Sequence, residues 1–139
     1  MIKDHGINVI GNFIVGLPED DECTMQQTLD LALELRCEML NIYSAMAYPG
    51  SELYNIAQKR GWELPDSWLG YSQHAYETRP LDTLYIPGEE VLTFRDKAFN
   101  EYFSDDGYLE YMRGKFGEDT FNNIKKMAYH KLERKHTVA

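Results

Sequence analysis

Chemistry in this sequence would have to come from few side chains. Its four histidines, His5, His74, His130 and His136, are scattered, and none stands at metal-ligand spacing from a cysteine or a carboxylate. Cys23 and Cys37 fit neither a zinc pair nor a redox motif, and both fall in one expected helical region, which reads as two ordinary thiols without a disulfide. Ser44, Ser51 and Ser72 lack the strand-turn-helix context of a nucleophile elbow, and no glycine-rich phosphate loop is present. What remains are two turns that follow apolar runs. One is Gly16-Leu17-Pro18-Glu19 and the other is Tyr48-Pro49-Gly50. His74, in Ser-Gln-His-Ala-Tyr-Glu, reads either as a substrate contact or as a structural hydrogen bond. Tyr43 and Tyr71 read either as walls of a substrate cavity or as core aromatics.

The elements that carry these residues follow from apolar periodicity. Ile7 to Val15 (INVIGNFIV) is short and rich in β-branched residues, which predicts a strand buried on both faces. Pro18 ends it, because proline cannot donate to a sheet ladder. The carboxylates of Glu19, Asp20, Asp21 and Glu22 suit the positive end of a helix that runs to about Arg36 on Met25, Leu29, Ala32 and Leu33. For Glu19 the plain reading is a helix cap; for Gly16 and Pro18 a strand-to-helix turn and a ligand contact stand side by side. Met39 to Ala47 is a second buried strand. Ser51 then caps a short helix from Glu52 to Arg60, which Gly61 stops. A helix between two apolar strands implies a right-handed crossover and a parallel sheet, with ligand sites expected at the C-terminal strand ends.

Beyond residue 62 the pattern changes. Residues 63–87 form a connector dense in Trp, Tyr and Pro without a sustained period. Residues 88–139 read as a helical extension: Glu89 to Phe103, Asp105 to Lys115, and a third helix marked by Phe121, Ile124, Ala128 and Leu132. Arg95 falls on the apolar side of its helix, so an acidic partner on the strand region is expected.

Composition bounds the function classes. The 139 residues carry a net charge of −9, are 43% hydrophobic and 13% aromatic, and so suit one folded domain rather than a disordered chain. The acidic balance argues against binding nucleic acid or a membrane surface. Residues 1–114 carry −12 and residues 115–139 carry +3. A basic terminal helix is therefore expected, with a solvated face or docked on the acidic body. No apolar run reaches the roughly 20 residues of a membrane span, and the first residues lack an apolar signal core, so a cytoplasmic protein is expected.

Two parallel strands do not finish an α/β domain, because they leave open edges and an uncovered face. Either two chains complete each other or the chain is a portion of a larger protein. Self-association of the isolated chain is the corresponding expectation.

Two segments, NFIVGLPEDDECTMQQTLDLALEL from Asn12 and YSAMAYPGSELYNIAQKRGW from Tyr43, resemble the last two β/α units of radical S-adenosylmethionine enzymes, and most of all the cobalamin-binding members. The stretch from Trp68 to Arg134 is similar to their C-terminal extension. The resemblance implies an α/β fold in which residues 1–62 are two β/α units from the end of a partial TIM-type barrel, followed by the connector and an α-helical C-terminal extension. It implies that Asn12, Ile14, Gly16 and Glu19 stand at the positions of the Gly-x-Ile-x-Gly-x-x-Glu pattern that helps form the adenosyl pocket, and Ile14, Gly16 and Glu19 fit it. Asn12 stands where the family has its first glycine. Met46, Ala47 and Tyr48 would meet the adenine edge. The family holds a four-iron (4Fe-4S) cluster through Cys-x-x-x-Cys-x-x-Cys, and this sequence has no such triplet. The resemblance thus implies a fragment that is inactive alone and binds no cofactor alone. Its full-length parent would use S-adenosylmethionine, the cluster and cobalamin, and the missing N-terminal barrel half would be its partner. The alternative is a stand-alone dimerising module derived from such a barrel.

Overall fold

The computed structural model describes residues 2–138, which form a mixed α/β fold with five α-helices and one two-stranded parallel sheet. Strands β1 (Ile10–Val15) and β2 (Met39–Ser44) pair in register from Ile10 opposite Met39 to Val15 opposite Ser44. Helix α1 (Glu22–Leu35) makes the crossover between them. Its start is fixed by a reciprocal cap: Asp21 accepts from the Thr24 N–H at 2.9 Å, and the Asp21 N–H donates to Thr24 Oγ1 at 3.0 Å. It ends at Arg36, which adopts a left-handed φ of 47°, and Lys3 Nζ donates to the free carbonyl of Leu35 at 2.7 Å. Helix α2 (Glu52–Arg60) is capped by Ser51 and stopped by Gly61, as the sequence predicts. The extension holds α3 (Gly88–Ser104), α4 (Asp106–Phe116) and α5 (Glu118–Ala128).

One core organises these elements. Val15, Leu40 and Ile42 project from one sheet face and meet Met25, Leu29 and Ala32 of α1 and Val91, Ala98, Tyr102 and Phe103 of α3. Each Val, Leu, Ile, Met or Phe side chain among them contributes roughly 1.5–3 kcal/mol by leaving water. Gly16 ends β1 at a φ of +77°, and a Cβ there would stand 2.3 Å from Val91 Cγ1. Glycine at this position therefore serves both the turn and the seating of α3.

Several expectations need correction. The strands are shorter than their apolar runs, and neither is buried on both faces. Ile10 and Ile14 remain 61% and 52% exposed, because no described residue packs over that side. Glu19 does not cap α1; it lies exposed in the preceding turn, and Asp21 is the cap. The third helix of the extension stops at Ala128, so Leu132 lies beyond it. The basic terminus docks on the body, but as an irregular segment: Arg134 binds Asp96, and the Lys135 N–H donates to Tyr76 O at 2.9 Å. Arg95 reaches the strand region through a carbonyl, donating from Nε to Ile42 O at 2.9 Å, while its acidic partner is its neighbour Asp96. Among the described residues, no helix is long and apolar enough to cross a membrane.

Candidate functional site

The two edges and two faces of the sheet are treated differently. The C-terminal half of the outer edge of β2 is held by side chains rather than by a strand. Gln73 accepts from the Ser44 N–H and donates to Ser44 O, both at 3.0 Å. Arg95 holds Ile42 O, the Tyr102 hydroxyl donates to Cys37 O at 2.7 Å, and the Tyr108 hydroxyl donates to Glu38 O at 3.0 Å. Among the described residues, no side chain holds the outer edge of β1 in this way. The ladder bonds from Met39 N to Val9 O and from Ala45 N to Val15 O fix which alternate residues of β1 turn towards β2. The backbone groups of Ile10, Asn12 and Ile14 therefore point the other way. No strand pairs with that edge among the described residues.

The uncovered face carries three cross-strand pairs: Ile10 with Met39, Asn12 with Asn41, and Ile14 with Tyr43. Asn41 Nδ2 donates to Asn12 Oδ1 at 2.9 Å, so the two amides form a polar rung between two apolar ones. At the C-terminal strand ends this face meets the two turns. Leu17 is exposed, and its N–H is held by Asp20 Oδ2 at 2.9 Å. The Leu84 N–H donates to Pro18 O and the Leu81 N–H to Ala45 O, so the connector is tied to the turn after β1 and to the residue after β2.

The predicted site residues separate into three groups here. Ile14, Asn12 and Tyr43 lie on the uncovered face, and Tyr48, beyond β2, is exposed. Gly16, Met46 and Ala47 are buried: Ala47 packs on Ala57 and Leu81, and the missing Cβ of Gly16 makes room for Val91. Tyr48, about half exposed, stacks on Tyr71 with ring centroids 5.7 Å apart, and Tyr71 in turn meets Trp68 at 5.8 Å. Burial, with the nearby Tyr54, pushes the Tyr71 hydroxyl pKa up, so the phenol stays neutral. These rings form a stepped aromatic surface, with Tyr48 stacked on Tyr71 and Trp68 tilted by 48° to it, on which a planar ring could pack. His74 does not join it. It lines a separate cavity beside α3, where burial, with Arg95 and Arg134, holds its imidazole below the ordinary pKa.

Among the described residues, no three His, Cys, Asp or Glu side chains stand together as metal ligands. Cys23 is exposed on α1, whereas Cys37 is buried just before β2. The thiols of this chain do not fit an iron–sulfur cluster, which requires three or four thiolates around one centre. Residues that sequence reasoning missed are Gln73 and Arg134. Both act across long separations and leave no local pattern.

No protein-family model matches the chain. Over 70 residues, half of the chain, it is 27% identical to an uncharacterized methyltransferase of Pyrococcus horikoshii. The matched region spans 15% of that protein's length, so the chain is similar to a small portion of it.

Proposed function

We propose that this chain is the C-terminal portion of a radical S-adenosylmethionine enzyme of the cobalamin-binding type, and that it supplies the adenosyl and substrate side of the active-site cavity. The observation that carries this reading is the one-sided sheet. Side chains hold the C-terminal half of the β2 edge, as would suit a last stave, β1 is open as an inner one would be, and the face that a barrel would turn inward is the face left uncovered. Ile14 and Tyr48 would pack on the adenosyl group at the strand ends, where parallel barrels bind ligands. The partial likeness to a methyltransferase agrees with use of S-adenosylmethionine. In the complete enzyme the adenosyl radical would abstract a hydrogen, or cobalamin would carry a methyl group, and this portion would orient the reactants. The cluster and the remaining staves would come from an N-terminal barrel half.

The test joins this chain to its upstream coding sequence. That sequence should encode a Cys-x-x-x-Cys-x-x-Cys triplet in frame. The joined protein, reconstituted anaerobically with iron and sulfide and supplied with cobalamin and dithionite as electron donor, should convert S-adenosylmethionine to 5′-deoxyadenosine or transfer its methyl group, while this chain alone should do neither. An upstream frame without the triplet, or a reconstituted protein without turnover, would leave the dimerising module as the better account.

A further inference from the structure

The cavity that holds His74 lies apart from the strand ends and carries its own chemistry. It encloses about 330 Å³ between α3, the end of α5 and the C-terminal segment. Phe99, Met127 and Leu132 give it an apolar lining, and Lys97 and Lys131 stand at its rim. Neither lysine has a hydrogen-bond or ion-pair partner among the described residues, and both are exposed. Asp96 is the one carboxylate in the lining. It is already committed, accepting from Arg95 at 2.8 Å and from two nitrogens of Arg134 at 2.9 and 3.0 Å. The cavity therefore presents uncompensated positive charge in a chain of net charge −9.

Its wall is also preformed. The Arg134 side chain is 2% exposed and donates to Thr78 Oγ1 at 2.8 Å, to Ala75 O at 3.0 Å and to Gln73 O at 3.0 Å, in addition to its fork on Asp96. That pin holds the segment bearing Lys131 and Leu132 against α3. A rigid apolar hollow edged by free cations selects a ligand with a flat or aliphatic body and one anionic group.

We infer that this cavity binds a small organic anion, an aromatic or aliphatic carboxylate, independently of the strand-end site. The probe is naphthalene-2-carboxylate titrated into the whole chain, followed by heteronuclear NMR, with the neutral naphthalene-2-carboxamide as comparison. One saturable site should appear, with shifts at Phe99, Asn100, Met127 and Leu132. The carboxamide should bind about fivefold more weakly or worse. Replacing both rim cations (Lys97→Gln with Lys131→Gln) should weaken the carboxylate by about fivefold, while Lys59→Gln on α2 should leave it unchanged. The inference is overturned by any of three results. These are no saturation up to about 10 mM carboxylate, equal affinity for the two probes, or shifts confined to the uncovered sheet face. Failure here would leave the strand-end reading untouched, because none of its residues lines this cavity.

Discussion

Gln73 occupies the place of a missing strand beside Ser44. Its carboxamide makes the two bonds, each 3.0 Å, that a neighbouring strand would otherwise make to the Ser44 backbone. Gln73, with Arg95 on Ile42 O, thus holds the C-terminal half of this edge, while no strand pairs with the β1 edge among the described residues. This asymmetry separates the chain from a symmetric two-stranded ribbon and gives the sheet a direction of growth.

Replacing Gln73 should expose the consequence. Gln73→Met removes both bonds and leaves the N–H and C=O of a buried residue unpaired, which costs about 2 kcal/mol. Urea unfolding should show a lower midpoint with little change in slope. An unchanged midpoint would mean that water satisfies Ser44 and that the amide is no plug.

The open edge and face of β1 predict association of the isolated chain. Light scattering should report a mass that grows with concentration. Ile14→Lys, a charge on the uncovered face that contacts no core residue, should reduce that growth without loss of helical signal. A stable monomer across the whole concentration range would contradict it.

Stability should fall in acid through one group. Burial alone would raise the Glu38 carboxyl, but Lys115 at 2.5 Å, the Tyr111 hydroxyl and the Val9 N–H at 2.7 Å together outweigh it and hold the pKa at about 2, below its ordinary 4.5. Because the folded value is the lower one, the contribution is fully present above pH 4.5 and is lost as pH falls towards 2. Unfolding free energy measured through that window should decline, and Glu38→Gln should flatten the decline. An equal slope in the variant would assign the acid sensitivity elsewhere.

Much of the frame was legible in the sequence because caps and stops are local. Ser51, Gly61 and Pro18 each act within a few residues of their own position, and the helix-between-strands pattern gave the parallel pair. The exposure of one strand face was not legible. Ile10 and Ile14 are as apolar as Phe13 and Val15, so the alternation that marks a half-buried strand is absent. Only Asn12 and Asn41 hint at it, and their pairing is visible only once the register is known. At the candidate site, the turns were found but the roles of their residues were not. Gly16 is filled by Val91 rather than left open, and His74 belongs to another cavity through contacts with α3 and the tail.

The central claim is that S-adenosylmethionine lies against the C-terminal ends of β1 and β2. The most direct measurement is ultraviolet cross-linking of the labelled compound to the protein made from this chain and its upstream coding sequence, followed by peptide mass spectrometry. The account predicts adducts within residues 12–19 and 43–48, lost in competition with unlabelled compound. Adducts confined to other segments, or none from this chain, would contradict it.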